Sequence, residues 1–501
     1  MMITTTLKNR NTKFFLLFFF LLTFLVNAQI GIGTVTPNAS SVLDVTSTTQ
    51  GMLTPRMTTA QRTAIASPAN GLIVYDTDLN AFEYYDSSVP VWRKIYGDAQ
   101  GRLNYKLIKS TDVLSTVLAA ELTAGGGAKY LLNSNTLYEI NGTINLNFPI
   151  ELNNAYIMGL DSSDDKLIKA SGDLFVGTTG GSIRVLTLTA AGKVFDITGT
   201  GSIAANTQTQ SLILRDCIVT GSGNVGKIEN MAFAFLSIVQ FLGNTNGIIY
   251  KDISKVLLSN VGWFGNNLGT YETLQGTFGL VEKVGGFTQV VGSQIGLDVS
   301  GNPIINGDAV MESVVYTGTL TTGKYVNGYS TGSYSGYNFN NKWSVRCPGI
   351  PTETDANATG EFSVNLTPGT GVAATVDNSG TAAKITVTTA TTSIFRFSAN
   401  NTARLTYTGF KKRIVQFAGS LSFVADSNGK TGIYIFYIAK NGVIVGQSKV
   451  YGYTGSISDT VAIPLSGSID MNTNDYIEVF VDYYSGSAGK IKVTSLTLTA
   501  F

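Results

Sequence analysis

Histidine is absent from all 501 residues. That excludes Ser-His-Asp and Cys-His catalysis, and every zinc or iron site built on imidazole. Cysteine is almost absent. Cys217 and Cys347 stand too far apart in sequence to form a metal-binding pair. They read as small apolar core residues, with a single disulfide as the alternative in an exported chain. Charge is scarce as well: Asp, Glu, Lys and Arg make up 13% of the sequence, against about 25% in ordinary globular chains. Lys plus Arg number 34 and Asp plus Glu 33. A chain so close to neutral lacks the basic footprint of a nucleic-acid binder, and little repulsion opposes its self-association. Proline is low at 10 residues.

What remains is the vocabulary of strands and tight turns. Glycine is high at 55 residues, and Thr, Ser, Asn, Val and Ile dominate most segments. The length suits two to four domains of roughly 100–200 residues.

The amino terminus has the layout of a secretory signal peptide over residues 1–28. Lys8, Arg10 and Lys13 precede an apolar run over 14–26, and Val26-Asn27-Ala28 offers a small-residue cleavage site. The run is shorter than the about 20 residues that span a ~30 Å hydrocarbon core. The expectation is a chain secreted or held at the cell surface, with no membrane span after cleavage. No cysteine near residue 28 offers a lipid attachment point.

Residues 29–97 form a first segment. Thr58 is a candidate N-cap for a short helix through residue 66, stopped by Pro68 and Gly71. Residues 72–75 read as a strand, and Tyr84, Tyr85 and Trp92 as a small aromatic cluster. The segment is too small and polar to build a large core, so a neighbour or further copies are expected to complete it. The wording "IGIGTVTPNASSVLDV…GMLTPRMTTAQRTAIASPANGLIVYDT" resembles a segment near the start of secreted surface proteins of Bacteroidota. Its "GIGTxxPxxxLDV" part is similar to segments of trimeric phage tail fibres and spikes. That resemblance implies a surface, fibre-like architecture and no particular reaction.

Residues 98–345 carry short β-rich runs between Gly, Asn, Ser and Asp turns, for instance at 138–146, 211–219 and 255–261. Their spacing, often near 15–25 residues, suits a right-handed parallel β-helix with buried ladders of Ile, Val, Leu and Phe; an irregular sandwich is the alternative. Asn260, Asn266 and Asn267 are candidates to stack or cap its turns. Residues 113–122 read as a helix capping the open end, and the apolar stretch 231–239 as a buried rung. The region resembles the β-helical bodies of phage tail spikes. Glycoside hydrolysis would need two carboxylates about 5–9.5 Å apart. The candidates Asp161, Asp164, Asp165, Asp173, Asp216 and Asp252 read more simply as loop and surface residues.

Residues 346–371, bracketed by prolines, read as a linker. Over 372–501 eight or nine strands follow at regular spacing, as in a jelly-roll sandwich. Lys440-Asn441-Gly442-Val443 is a type I′ hairpin signal. This domain resembles the complement- and tumour-necrosis-factor-like jelly rolls that end many trimeric fibres. The resemblance implies that Tyr434, Phe436, Tyr476 and Phe480 pack around a threefold axis, with the monomer core as their alternative. Tyr451, Tyr453, Tyr483 and Tyr484 are candidate ligand-binding residues in loops, where tyrosine gives large contact area at low entropy cost.

The fold class expected is therefore all-β: a signal peptide, a right-handed parallel β-helix and a jelly-roll sandwich. The expected function is an exported surface fibre or adhesin, homotrimeric, binding a glycan or protein receptor through its carboxy-terminal domain. It is expected to need no catalytic residue, metal or cofactor and to have no nucleic-acid partner. A secreted polysaccharide-active β-helix enzyme (lyase or glycosidase) and a purely structural surface component are the alternatives.

Overall fold

The computed structural model of the chain describes residues 29–95, 104–367, 370–375, 381–391, 394–425, 431–486 and 490–501. The expected signal peptide lies outside them. Strands hold 52% of the chain and helices 5%, so the protein is all-β. It divides into two compact units, residues 1–102 and 103–501.

In the first unit Arg56–Met57, Ile73–Asp76, Ala81–Asp86 and Val91–Lys94 form a four-stranded sheet. Thr58 caps a helix over Thr59–Thr63, shorter than expected. Its hydroxyl accepts from the Gln61 amide while the Gln61 side chain accepts from the Thr58 amide, 2.9 Å away. The centre is polar. The buried Asp76 carboxylate accepts from Arg62 Nε at 2.8 Å and from Thr59 Oγ1 at 2.8 Å. Arg62 lies 5.3 Å from the Trp92 ring, which meets Tyr85 edge-on. Burial alone would raise the Asp76 pKa, but these donors and the amides of Leu79 and Asp78 hold it at about 2. With Asp76 at the centre, apolar side chains are left outside: Val35 is 98% exposed and Leu53 82%.

In the second unit a sheet of 22 strands runs from Tyr105–Lys109 to Trp343–Arg346. Neighbouring coils pair in parallel, and three inward columns fill the interior. The first face stacks Ile183, Leu214, Leu236, Leu258, Lys283, Met311 and Val345. The second stacks Leu188, Val219, Phe241, Trp263, Thr288 and Tyr316. The third stacks Ile150, Phe175, Phe195, Gly226, Ile248, Glu272 and Leu297. Strand alternation explains the columns: with every second side chain turned inward, like positions of successive coils lie on one another. This is the expected parallel β-helix.

Two corner devices repeat. Between the first and second faces one residue per coil takes the left-handed conformation: Val185, Asp216, Ile238, Asn260, Gly285 and Ser313, with φ from 52° to 68°. After the second face a buried ladder closes the turn. Asn244 Oδ1 accepts from the Ser222 amide at 3.1 Å, and Asn267 Oδ1 from the Asn244 amide at 2.8 Å. Asn267 thus stacks as expected, Asn260 sits at the left-handed corner, and Asn266 accepts from the Gly243 amide. The interior also holds a fully buried ion pair, Lys283 with Glu272, with the ammonium 4.7 Å from the Tyr271 ring. The expected capping helix is two short ones, Leu114–Val117 and Ala119–Ala124, joined at the buried Leu118. Both cysteines are free and buried, which removes the disulfide alternative. Burial pushes the Cys217 thiol up to about 12 and raises that of Cys347.

The last part of this unit is a sandwich of two antiparallel sheets. One has the order Ile394–Phe395, Thr359–Asn365, Lys490–Ala500, Arg413–Ala425, Val461–Met471, with Val372–Thr375 also on Lys490–Ala500. The other has the order Phe397–Asn400, Arg404–Tyr407, Tyr476–Gly486, Gly432–Lys440, Val443–Ile444, and Val450–Thr454 adds to Gly432–Lys440. The hairpin forms as expected, with Asn441 and Gly442 at φ 52° and 78°.

The expected linker, 346–371, is corrected. Glu353 is wholly buried and bridges back to Val345 of the last coil, and Thr359–Asn365 is a sandwich strand. The segment is polar because it carries hydrogen bonds, not because it is loose. Glu353 accepts from the amides of Asn338 and Phe339 at 2.8 and 2.9 Å. Arg396 locks the junction: its guanidinium pairs with Asp355 and donates to the Glu353 carbonyl at 2.9 Å.

Candidate functional site

Three outer surfaces of the second unit carry chemistry. The first is an aromatic patch on the sandwich. On Val450–Thr454, Tyr451 and Tyr453 alternate outward across Gly452, with Tyr453 67% exposed. They stand on a strand, not in a loop as expected. The register between Gly432–Lys440 and Tyr476–Gly486 shifts between Ile433 and Tyr434, leaving Tyr484 as the extra residue. Tyr484 projects outward and its ring meets that of Tyr451 edge-on at 5.7 Å. Exposed rings grouped this way offer apolar faces to a ligand while their hydroxyls stay wet.

Tyr483 does not belong to this patch. Strand alternation sends it to the opposite face, 4% exposed, against Tyr434. The threefold-axis assignment is corrected for Tyr434 and Phe436 too. Both are wholly buried in their own sandwich, around Phe423. Tyr476 and Phe480 lie on the outer side, half-buried. The Tyr476 ring is covered by Arg404, 3.8 Å from its centroid.

The second surface is the exterior of the third β-helix face. Lys193, Asp196, Lys227, Glu229 and Lys251 point outward there. Glu229 sits between two ammoniums, Lys251 at 2.7 Å and Lys227. Partial burial would raise its pKa, but the two lysines lower it overall, so it stays ionised. Beside this network runs a groove of about 610 Å³ lined by Lys193, Lys227, Asn224 and Asn246. Its floor is backbone at Gly226, Gly247 and Gly269. A Cβ on Gly247 would stand 1.8 Å from the Tyr271 carbonyl oxygen, so only glycine lets the two coils approach this closely beside the groove.

The third surface is a cleft of about 270 Å³ where the last coil meets the sandwich, lined by Lys342, Arg346, Arg396, Lys411 and Phe410 among others. Its most buried charge, Arg396, is already spent on the junction.

Most of the acids singled out in the sequence hold backbone amides. Asp165 is buried and accepts from the amides of Gly142, Leu160 and Asp161. Asp173 accepts from the Lys193 amide and Asp252 from the Thr277 amide. Asp161 closes a turn through the Ser163 amide, and Asp216 is a left-handed corner. The groove floor went unnoticed in the sequence, although Gly226, Gly247 and Gly269 recur once per coil.

Residues 31–111 match the family model described as a phage tail-like trimerisation region. No curated protein matches the chain. Among solved structures the chain is similar to the enzymatically active domain of tailspike protein 4 of bacteriophage CBA120. The identity is 11%, the alignment covers 90% of this chain and 77% of that one, and the TM-score is 0.20. A likeness of that size transfers no residue and no reaction. The similar protein is described as enzymatically active, and the expectation of a non-enzyme is withdrawn. The lack of histidine excluded imidazole chemistry only and left carboxylate, lysine and tyrosine chemistry open. The trimerisation match supports a tail fibre- or spike-like protein that assembles as a homotrimer.

Proposed function

We propose that the chain is one protomer of a homotrimeric tail spike- or fibre-like protein that binds a cell-surface glycan. The observation that carries the reading is the coincidence of the trimerisation match with the most exposed apolar side chains among the described residues, Val35, Val42 and Leu53. A lone unit with such a surface is poorly soluble, and three copies would cover it. The sandwich order, with consecutive long strands alternating between two sheets, suits a jelly roll. Its patch of Tyr451, Tyr453 and Tyr484 suits stacking on sugar rings. Export by the amino-terminal segment belongs to the same reading.

A second reading, cleavage of a bound polysaccharide, is favoured by the glycine-floored groove on the third β-helix face, whose lysines and asparagines suit sugar hydroxyls and carboxylates. Light scattering on the purified chain tests the trimer, with three times the 53.2 kDa chain mass expected. A glycan array then tests binding. Tyr451→Ala with Tyr484→Ala is expected to weaken retained glycans at least tenfold, and unchanged binding would remove the patch from the proposal. New reducing ends in an array-positive polysaccharide would establish the second reading.

A further inference from the structure

Two of the three exterior faces of the β-helix carry clusters of apolar side chains among polar ones, and the two share an edge. On the first face Ile213, Phe235 and Leu257 form one outward column that ends at Glu282, and Phe233 and Leu280 stand beside it with Lys255 between them. The rings of Phe233 and Phe235 stack at 6.0 Å. On the second face Ile218, Leu242, Phe264 and Phe287 turn outward, and Phe264 meets Phe287 edge-on at 4.9 Å. Gly262 makes room for that ring: a Cβ there would lie 2.9 Å from it. Arg215 and Gln289 flank these side chains, and Gln240, Lys255 and Glu282 stand within the same columns, so the surface mixes apolar and polar groups as protein interfaces do.

The edge between the faces adds a separate sign. Ile238 occupies the left-handed corner at φ 55° and is 48% exposed. A β-branched residue is strained there, and the next coil has Asn at the same corner. An exposed apolar side chain that costs backbone strain is held where something outside the chain covers it.

We infer that the first and second faces of the β-helix, meeting at the ridge of Ile238, are the surface through which three copies of this chain pack side by side. The occupant is a second copy rather than an unrelated protein for two reasons. The trimerisation match runs to residue 111, through the first β-helix strand Tyr105–Lys109, so the coils that follow are covalently continuous with it. Threefold symmetry also requires a heterologous contact, one patch against a different patch. Two distinct apolar clusters on faces sharing an edge supply that, whereas a twofold dimer would need one self-complementary face.

This inference rests on the homotrimer proposed above, and the test separates the two. Phe235→Cys is combined in turn with Leu242→Cys and Phe264→Cys in the full chain, and mild oxidation is followed by a non-reducing gel. Interchain dimer and trimer bands are expected, since a bond within one chain leaves the mass unchanged. Phe235→Cys with Lys227→Cys on the third face is expected to stay at monomer mass. Cys217 and Cys347 are buried and should remain silent. A chain that is trimeric by light scattering but gives no interchain band with either first-to-second-face pair would overturn the inference and leave the trimer standing. A monomer by light scattering would overturn the trimer itself, and this surface with it.

Discussion

The first and third faces of the β-helix are built by the same coils and bury the same kind of side chain, yet their exteriors differ. Outside the first face stand Ile213, Phe235 and Leu257, with only Lys255 and Glu282 charged among their columns; outside the third stand Asp196, Lys227 and Glu229. The fold does not require either choice, because an outward residue leaves the interior ladder intact. The difference therefore records what each face meets: other protein in one case, water and solutes in the other. The comparison predicts that substitutions inside act alike on every face, while substitutions outside act according to the face.

The largest effect is expected inside. Lys283→Ala leaves Glu272 buried and unpaired, and breaking such a pair costs about 3–5 kcal/mol. Leu236→Ala, on the same first-face column, is expected to cost about 2–5 kcal/mol by opening a cavity. Chemical denaturation with far-UV circular dichroism reads both. Losses well under 1 kcal/mol would mean that the interior is looser than its columns imply. Asn267→Ala should cost about 1–3 kcal/mol, because the Asn244 amide and the Phe241 carbonyl lose a buried partner.

The amino-terminal unit should respond to acid. Asp76 has its pKa lowered from 3.8 to about 2. Its contribution to stability is complete above the unfolded value, near 4, and falls away as pH drops toward 2. Asp76→Asn is expected to flatten that dependence in a light-scattering titration of the trimer. A slope unchanged between pH 4 and 2 would assign the acid response to other groups.

How much of this was legible in the sequence follows the same inside-and-outside divide. Alternation revealed the strands, and Asn441-Gly442 fixed the hairpin, because few residue pairs take two left-handed conformations in a row. Alternation fails where both sides of a strand are apolar. In Gly432–Lys440 the residues Ile433, Tyr434, Ile435, Phe436, Tyr437 and Ile438 offer no contrast. There only the resemblance to trimeric jelly rolls points Tyr434 and Phe436 to an oligomer axis, and they fill the monomer core, the alternative reading. Tyr483 and Tyr484 show the converse: neighbours on a strand must face opposite ways, so they were never a pair. The ladder of Asn267 was readable from the asparagine itself. The corner at Val185 and Ile238 was not, since neither residue favours a turn and only the register between coils places them there.

On the third face Glu229→Gln is expected to change stability by no more than about 1 kcal/mol, as for other surface ion pairs, and to leave the trimer mass alone. A dissociated trimer would show that the charged face, too, meets protein.

The smallest effect is the most discriminating. Val185 and Ile238 occupy the same left-handed corner, at φ 52° and 55°. Asn already stands there at position 260 and tolerates the conformation, whereas a β-branched residue pays roughly 1–2 kcal/mol for it. Val185→Asn should therefore stabilise the chain by up to about 1 kcal/mol, within the range of strain relief at such sites. The backbone gain of Ile238→Asn should be equal. Ile238, however, lies at the edge between the faces that carry Phe235 and Leu242, and any contact it makes with another copy is lost in the substitution. Thermal midpoints of the two variants, measured on the assembled protein, turn the comparison of faces into a single difference. If Ile238→Asn gains as much as Val185→Asn, the ridge is bare in the assembly. If it gains less or loses, the shortfall measures what the ridge touches.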